Sequence, residues 1–368
     1  MRLVAVSSIQ ENVFLAENVL NSKGQILLKA GAELTSPIIK RLCSLGISYV
    51  YIEDARTDDI YIIRPVLKEE TRREALSVMS EAFNQVKKDL SADAVKFGFH
   101  KMEKQFTAVV RDIIKQIEGR KEAIDLLTHL YAHDDYIFTH SLNVTIYTLA
   151  LSMKLKNLTQ KQTEEIGLGA MLHDVGKMMI PTPILKKPSK LTTDEFDLMK
   201  SHAKLGFELL RKEHGLPLTA AHCAFQHHER LNGSGYPRGL KGNEIHIYGK
   251  MIGIADVYDA VTTNRIYRKA MLPHEGMGIL YAGSGTEFET AYIESFRKAI
   301  VMYPTGLTVW LKDGRKGIVA EQNEHLSDRP ILLILEEAGC ELAVPYKVNL
   351  AAETTLFIAE TDTTLSGI

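Results

Sequence analysis

The chain has 368 residues, 45% of them hydrophobic and 24% charged, and a formal charge of −2 at pH 7. This composition excludes a disordered chain, a collagen-like repeat and a coiled-coil rod, and the lack of a basic excess argues against a protein that lives on nucleic-acid backbone contacts. At roughly 100–200 residues per domain, the length suggests two or three domains.

In chain order, residues 1–65 read as a small α+β module. Asn21, Ser22, Lys23 and Gly24 form a turn signal between apolar segments 13–20 and 25–29. Ser36 is expected to cap a helix with Pro37 in its first turn, and Gly46 to stop it. Residues 47–52 follow as a β-rich strand. Residues 66–125 read as a helical connector. Leu76, Met79, Phe83, Val86 and Leu90 are spaced 3, 4, 3, 4, and Phe99, Met102, Phe106, Val109 and Ile113 repeat that spacing. The step of nine between Leu90 and Phe99 breaks the phase, so two helices are expected, with Ser91 as a cap and Gly98 as an interruption. Their stripes pack on the neighbouring domain or, since the spacing is also that of heptads, form a homodimer contact. Residues 126–302 are helical in pattern throughout. Residues 303–368 read as a small β-rich module with strands near 309–311, 317–320, 331–335 and 342–345 and a turn at Asp313-Gly314. This tail carries 5 Lys+Arg and 10 Asp+Glu, a net of −5.

Cys43, Cys223 and Cys340 are far apart and form no CxxC pair, so neither a disulfide framework nor a zinc ribbon is expected, and a reducing cytoplasm fits. The first 13 residues lack a basic start followed by an apolar run, so no signal peptide is expected. No stretch approaches the ~20 apolar residues of a membrane span.

The 13 histidines carry the chemistry. His140, the pair His173-Asp174, His202, the pair His227-His228 and Asp256 follow one another at gaps of 33, 28, 25 and 28 residues. Each gap is about a helix, a turn and a returning helix, so these side chains can converge at one level of a bundle. Neutral imidazole and carboxylate are ligands of first-row divalent metals. Five imidazoles and two carboxylates exceed a tetrahedral zinc site and suit two metals of higher coordination, with one carboxylate bridging. The remaining histidines (His100, His129, His133, His214, His222, His246, His274 and His325) read as surface or satisfied core residues.

Four motifs in this order carry a family resemblance. Met-Leu-His-Asp-Val-Gly-Lys at 171–177, followed by Ile180-Pro181, resembles the HD phosphohydrolase signature. His-His-Glu-Arg-Leu-Asn-Gly-Ser-Gly-Tyr-Pro at 227–237 resembles that of the HD-GYP subgroup, with Gly235-Tyr236-Pro237 intact. His-Ser-Leu-Asn-Val at 140–144 and the stretch 256–268 also match. The resemblance implies a mainly α, helical HD-type bundle over 126–302, flanked by the two small modules. It implies a metal-dependent phosphodiesterase that hydrolyses cyclic di-GMP to linear pGpG, or on to GMP, through a hydroxide bridging two divalent transition metals, iron or manganese. The ligands fall on His140, His173, Asp174, His202, His227, His228 and Asp256, with Asp174 as the bridge and a catalytic residue. Cyclic di-GMP is then the partner, with no nucleic-acid polymer.

Around this centre, Lys177 lies three residues after Asp174 and on a helix would share its face, reaching a phosphate oxygen or the leaving alkoxide. Gly235 lets the backbone approach a ligand, and the Tyr236 ring can pack on a guanine or ribose. Arg265 and Arg268 resemble the family's basic substrate positions and suit the second phosphate or a guanine edge. The chain departs from the family at two places. Some members carry Glu four residues before the first ligand histidine; here the residue is Tyr136, so two metals are expected rather than three. Asn232 stands where Asp is frequent, which costs a charge but no ligand. The competing readings are a catalytically silent cyclic-dinucleotide receptor and an HD hydrolase acting on another cyclic dinucleotide or nucleotide.

Overall fold

Strand β1 (Arg2–Ala5) opens the chain, and β2 (Val19–Leu20) pairs with β3 (Ile26–Leu28) as a short antiparallel ribbon. The computed structural model describes residues 1–368 except 11, 22–24, 58–59, 61–64, 91–98, 121–122, 127–135, 156, 188, 265–269, 325 and 366–368, and except the side chains of 88–90 and 99–102. The expected turn residues 22–24 therefore lie outside the described residues. Helix α1 (Ser36–Ser44) ends before Gly46, whose φ of 76° is the left-handed conformation expected of a helix stop. Its N-cap is Thr35 rather than Ser36: the backbone is still extended at Thr35 (φ −81°, ψ 160°) and Ser36 is already helical. Strand β4 (Tyr49–Ile52) then pairs antiparallel with β1.

Helices α2 (Glu69–Leu90) and α3 (Phe99–Glu118) lie on either side of the expected phase break. Ser91 and Gly98 lie outside the described residues. Met79, Phe83, Val86, Phe106, Val109 and Ile113 are buried in one core with the bundle that follows. The described part of the heptad-like seam is thus filled within one chain.

The bundle consists of α4 (Tyr136–Lys154), α5 (Gln160–Leu172), the short α6 (Thr182–Leu185), α7 (Thr193–Leu210), α8 (Leu218–Gln226), α9 (Ile247–Thr262), α10 (Pro273–Ala282) and α11 (Thr290–Arg297). Helix α4 is buried at every position from His140 to Ser152, as expected of a helix at the centre of a bundle. It packs on α5 and α9; α8 packs on α5, α7 and α9. Capping boxes at Thr159 and Thr192 start α5 and α7 by satisfying otherwise orphaned N–H groups. Among the described residues no helix is long and apolar enough to cross a membrane.

Strands β5 (Thr308–Leu311), β6 (Lys316–Glu321), β7 (Ile331–Glu337), β8 (Cys340–Asn349) and β9 (Ile358–Asp362) form an antiparallel sheet in the order β8-β7-β6-β5-β9. The Asp313-Gly314 turn joins β5 to β6, with Gly314 at φ 90°. Strand β9 has no counterpart in the sequence reading. The two ends of the chain share one apolar core: Leu3 and Tyr51 pack with Leu307, Val309, Leu311, Val319, Leu332 and Ile334. Arg2 seals this contact, its Nε donating to Thr308 Oγ1 at 3.0 Å and Nη2 to the Thr364 carbonyl at 3.1 Å. The same N-terminal unit touches the bundle through Tyr49, whose hydroxyl donates to the Ala270 carbonyl at 3.3 Å, and through Ser48, which bonds Asn264 just beyond α9.

A candidate metal centre at one level of the bundle

The chain places each candidate ligand at a helix end or one to a few turns inside a helix, at a common level. His140 lies one turn into α4, His173 is the C-cap of α5, His202 faces inward from α7, His227 is the C-cap of α8 and Asp256 lies on α9. After His173-Asp174 the backbone tightens into a 3-10 turn, Val175–Met179, that lies directly on α7. Gly176 makes this possible. A Cβ there would meet the His202 carbonyl at 2.0 Å and the Gly206 nitrogen at 2.6 Å, so only glycine lets the turn approach.

The candidate ligand atoms form two groups. Those of His140, His173 and Asp174 lie within 4.8 Å of one another, as do those of His202, His227 and His228. Asp174 stands between them. Its Oδ2 is 3.3 Å from His173 Nε2 and 3.5 Å from His140 Nε2; its Oδ1 is 3.5 Å from His202 Nε2 and 3.9 Å from His227 Nε2. Asp256 spans the same divide, with Oδ1 3.1 Å from His140 Nε2 and Oδ2 3.6 Å from His228 Nδ1.

The other ring nitrogens explain why these atoms are available. Nδ1 of His173 faces the Ala170 carbonyl at 2.7 Å, Nδ1 of His202 that of Met199 at 2.7 Å, and Nδ1 of His227 that of Cys223 at 3.1 Å. A carbonyl only accepts, so each Nδ1 is the donor, and in the neutral tautomer this leaves the Nε2 lone pair turned to the centre. His140 Nδ1 faces Asp259 Oδ2 at 2.7 Å. Burial holds the His202 imidazole down to about 4 and those of His227 and His228 well below the ordinary value, so these rings stay neutral. For His140, burial opposes the charge, but hydrogen bonds to Asp256 and Asp259 outweigh it and lift the group to about 9. Asp174 and Asp256 stay ionised: burial alone would raise them, but Lys177 and His173 around the first, and His140 and His228 around the second, hold them well below the usual range.

This donor set fits divalent cations. His173 Nε2 and Asp174 Oδ1 are buried without a hydrogen-bond partner, and His202 Nε2 and His227 Nε2 are 3.3 Å apart. Converging lone pairs are costly on their own, and a cation between them removes that cost. At Zn–N-like bond lengths of ~2.0–2.1 Å, neighbouring ligand atoms stand about 3 Å apart, near the spacing of the closest pairs here, 3.1 Å for His140 Nε2 and Asp256 Oδ1 and 3.3 Å for His202 Nε2 and His227 Nε2.

Of the other expected residues, Lys177 reaches Asp174, Nζ to Oδ2 at 2.5 Å, from the 3-10 turn rather than from an α-helix. Tyr236 lies with its ring centroid 4.6 Å from that of His228, and burial keeps its hydroxyl well above its ordinary value, hence protonated. Gly235 is pressed on the backbone of 228–230; a Cβ would meet the His228 carbonyl at 2.4 Å. Arg265 and Arg268 lie outside the described residues. Tyr136 stacks on the His140 ring at 5.4 Å. Asn232 Oδ1 accepts from the Ser234 N–H at 2.9 Å, which an aspartate there would also do.

Two supporting residues escaped the sequence reading. Asp259 aligns His140 and is itself held by Asn143 and Thr263, each at 2.9 Å. Such carboxylate partners orient ligating imidazoles. The signal was a second Asp three residues after Asp256, one helical turn along α9. Glu229, buried directly after the His227-His228 pair, accepts from two backbone N–H groups of the following loop.

A helical bundle with a His-Asp pair at its metal-ligating level defines an HD domain, and the family model described as HD domain matches residues 131–291. A cyclic di-GMP phosphodiesterase of Pseudomonas aeruginosa is 33% identical over 246 residues, 66% of this chain and 59% of the relative. A 3'3'-cGAMP-specific phosphodiesterase of Vibrio cholerae is 37% identical over 156 residues, 42% of this chain and 30% of the relative. Among solved structures, an HDG"Y"P protein of Bdellovibrio bacteriovorus aligns at a TM-score of 0.45 and 18% identity, covering 80% of this chain and 97% of that one. The stretch 131–291 is thus an HD domain, and it carries the Gly235-Tyr236-Pro237 stretch of the HD-GYP type. It spans about six tenths of the length of the Pseudomonas relative.

Proposed function

We propose that the chain is a metal-dependent phosphodiesterase that opens cyclic di-GMP to linear pGpG, with GMP as product where both diester bonds are cut. The observation that carries this reading is the Asp174 carboxylate, whose two oxygens face two different groups of imidazole lone pairs. Two divalent metals, iron or manganese, suit these nitrogen and oxygen donors, with His140, His173, Asp174, His202, His227, His228 and Asp256 holding them. When bound, such a pair supplies acidified water at neutral pH and neutralises charge on the phosphate.

The chain's own groups do the rest. Two carboxylates and five imidazoles, each of which binds a metal as the neutral ring, would leave a metal-loaded site net positive, which attracts an anionic diester. Lys177, partly exposed at the rim, holds an ammonium where a phosphate oxygen or a departing alkoxide can take its proton or its hydrogen bond. Tyr236, protonated and partly exposed over His228, offers a ring face for a base or ribose and a hydroxyl donor. Arg265 and Arg268 are assigned to the second phosphate or a guanine edge. The free cysteines Cys43, Cys223 and Cys340 support a cytoplasmic, reducing location.

The relatives named as cyclic di-GMP phosphodiesterases favour this substrate, and those named as 3'3'-cGAMP-specific make a mixed cyclic dinucleotide the second reading. The test is incubation of anaerobically purified chain with each dinucleotide in turn, with products separated by chromatography and metal counted. Linear product from cyclic di-GMP at the higher kcat/KM supports the first reading. Preference for the mixed dinucleotide selects the second, and tight binding without product selects a silent receptor.

A further inference from the structure

The loop after His228 is closed on itself. The Gly242 N–H donates to the Leu231 carbonyl at 3.0 Å, Asn232 and Lys241 form an antiparallel bridge, and Gly233 turns at φ 82°. At its centre lies Glu229, 5% exposed. Its Oε1 accepts the Arg238 N–H at 2.8 Å and its Oε2 the Leu240 N–H at 2.9 Å. These two donors lie just past Tyr236-Pro237. On the near side, the Tyr236 N–H donates to the His228 carbonyl at 3.2 Å and Gly235 is pressed on the backbone of 228–230. Tyr236 is therefore held from both sides, and the far side depends on one carboxylate.

We propose that Glu229 is a positioning residue for substrate: its carboxylate clamps the return leg of the loop and so keeps the Tyr236 ring over the metal-ligand candidate His228. Among the described residues no hydrogen bond joins its carboxylate to the candidate ligand atoms, and both its oxygens are occupied by backbone donors of the loop, so it acts through the placement of Tyr236. This rests on the phosphodiesterase reading for its kinetic consequence but not for the clamp itself. A carboxylate is required because both donors are N–H groups. Glutamine matches the shape but presents one acceptor and one NH2, which leaves one N–H facing another donor.

The decisive comparison is Glu229→Gln, Tyr236→Ala and the double variant in the full chain, with metal content, steady-state kinetics on cyclic di-GMP and amide exchange measured in each. A hydrogen bond to a charged group accounts for roughly tenfold or more in an equilibrium constant. Glu229→Gln is expected to keep its metals, raise KM roughly tenfold, change kcat little and speed exchange of the Arg238 and Leu240 amides. In the Tyr236→Ala background the same change is expected to add little to KM, because the ring it positions is gone. An unchanged KM, a KM cost that simply multiplies in the double variant, loss of metal, or unaltered amide exchange would each overturn the proposal. A wild-type chain that cleaves no cyclic dinucleotide would instead sink the phosphodiesterase reading, and amide exchange would still decide the clamp.

Discussion

The candidate metal centre and the loop over it are neighbours built by opposite means. The centre draws side chains from residues as far apart as His140 and Asp256, and a set of helices brings them to one level. The loop of residues 229–242 is local, and nearly everything that shapes it is backbone: two glycines in close approach, a bridge, and amides clamped by Glu229. The difference teaches where function is written. A centre that binds through side chains reveals itself by residue type and order. A loop that works by holding one ring in place reveals itself only when its amides have been traced to their acceptors.

The sharpest way to break this comparison is Asp174→Ala. It removes the carboxylate that faces four of the five candidate imidazoles, two through each oxygen, so we expect loss of bound metal and no measurable turnover by elemental analysis and product chromatography. Retention of two metals would erase the distinction between centre and loop. Next in size is Lys177→Ala. Removing a donor that acts on developing charge costs on the order of 10²–10³ in kcat, with metal content unchanged. Wild-type kcat would show that its contact with Asp174 is all it does.

Asp259→Asn probes the support behind His140. Loss of an outer carboxylate typically costs 10–100-fold in metal affinity, read here by competition with a chelator. Metal removal gives a smaller, thermodynamic signal. At free metal about 100 times Kd, binding stabilises the fold by about 2.7 kcal/mol, so chelation should lower Tm. That drop should be the same in wild type and Tyr236→Ala, because the loop is not part of the centre. Smallest of all is Val344→Ser on β8, where the side chain is 79% exposed. Such a surface change is expected to stay within about 0.5 kcal/mol and to leave metal content and turnover alone.

Much of this was legible in the sequence. The 3, 4, 3, 4 spacing of Leu76 to Leu90 and of Phe99 to Ile113 marks two helices, because the helical period puts those positions on one face whatever they pack against. The candidate ligands stood out because histidines are few, and His140, His173, His202, His227 and His228 fell, with Asp174 and Asp256, in register with helices. Other features depend on contacts made over long distances. Strand β9, Ile-Ala-Glu-Thr-Asp, has no apolar alternation of its own and exists because β5 offers it an edge. That Leu3 and Tyr51 share a core with Leu307 and Val309 is decided by contacts across some 300 residues of chain, which no local pattern records. Asp259 and Glu229 were in plain view beside residues already singled out, but a supporting carboxylate looks like any other acid until its partners are known.

The carbonyls that face the three Nδ1 atoms lie three or four residues back in the chain: Ala170 for His173, Met199 for His202 and Cys223 for His227. Each of these rings carries its own alignment, so a helix that winds up at all presents its imidazole with Nδ1 as the donor and Nε2 free to ligate. His140 is different, because its aligning partner Asp259 arrives on α9. Three candidate ligands are thus ready as soon as local structure forms, and His140 becomes ready only when two helices distant in the chain have docked. The order of readiness follows the order of assembly, and a complete set of aligned donors exists only on a finished bundle.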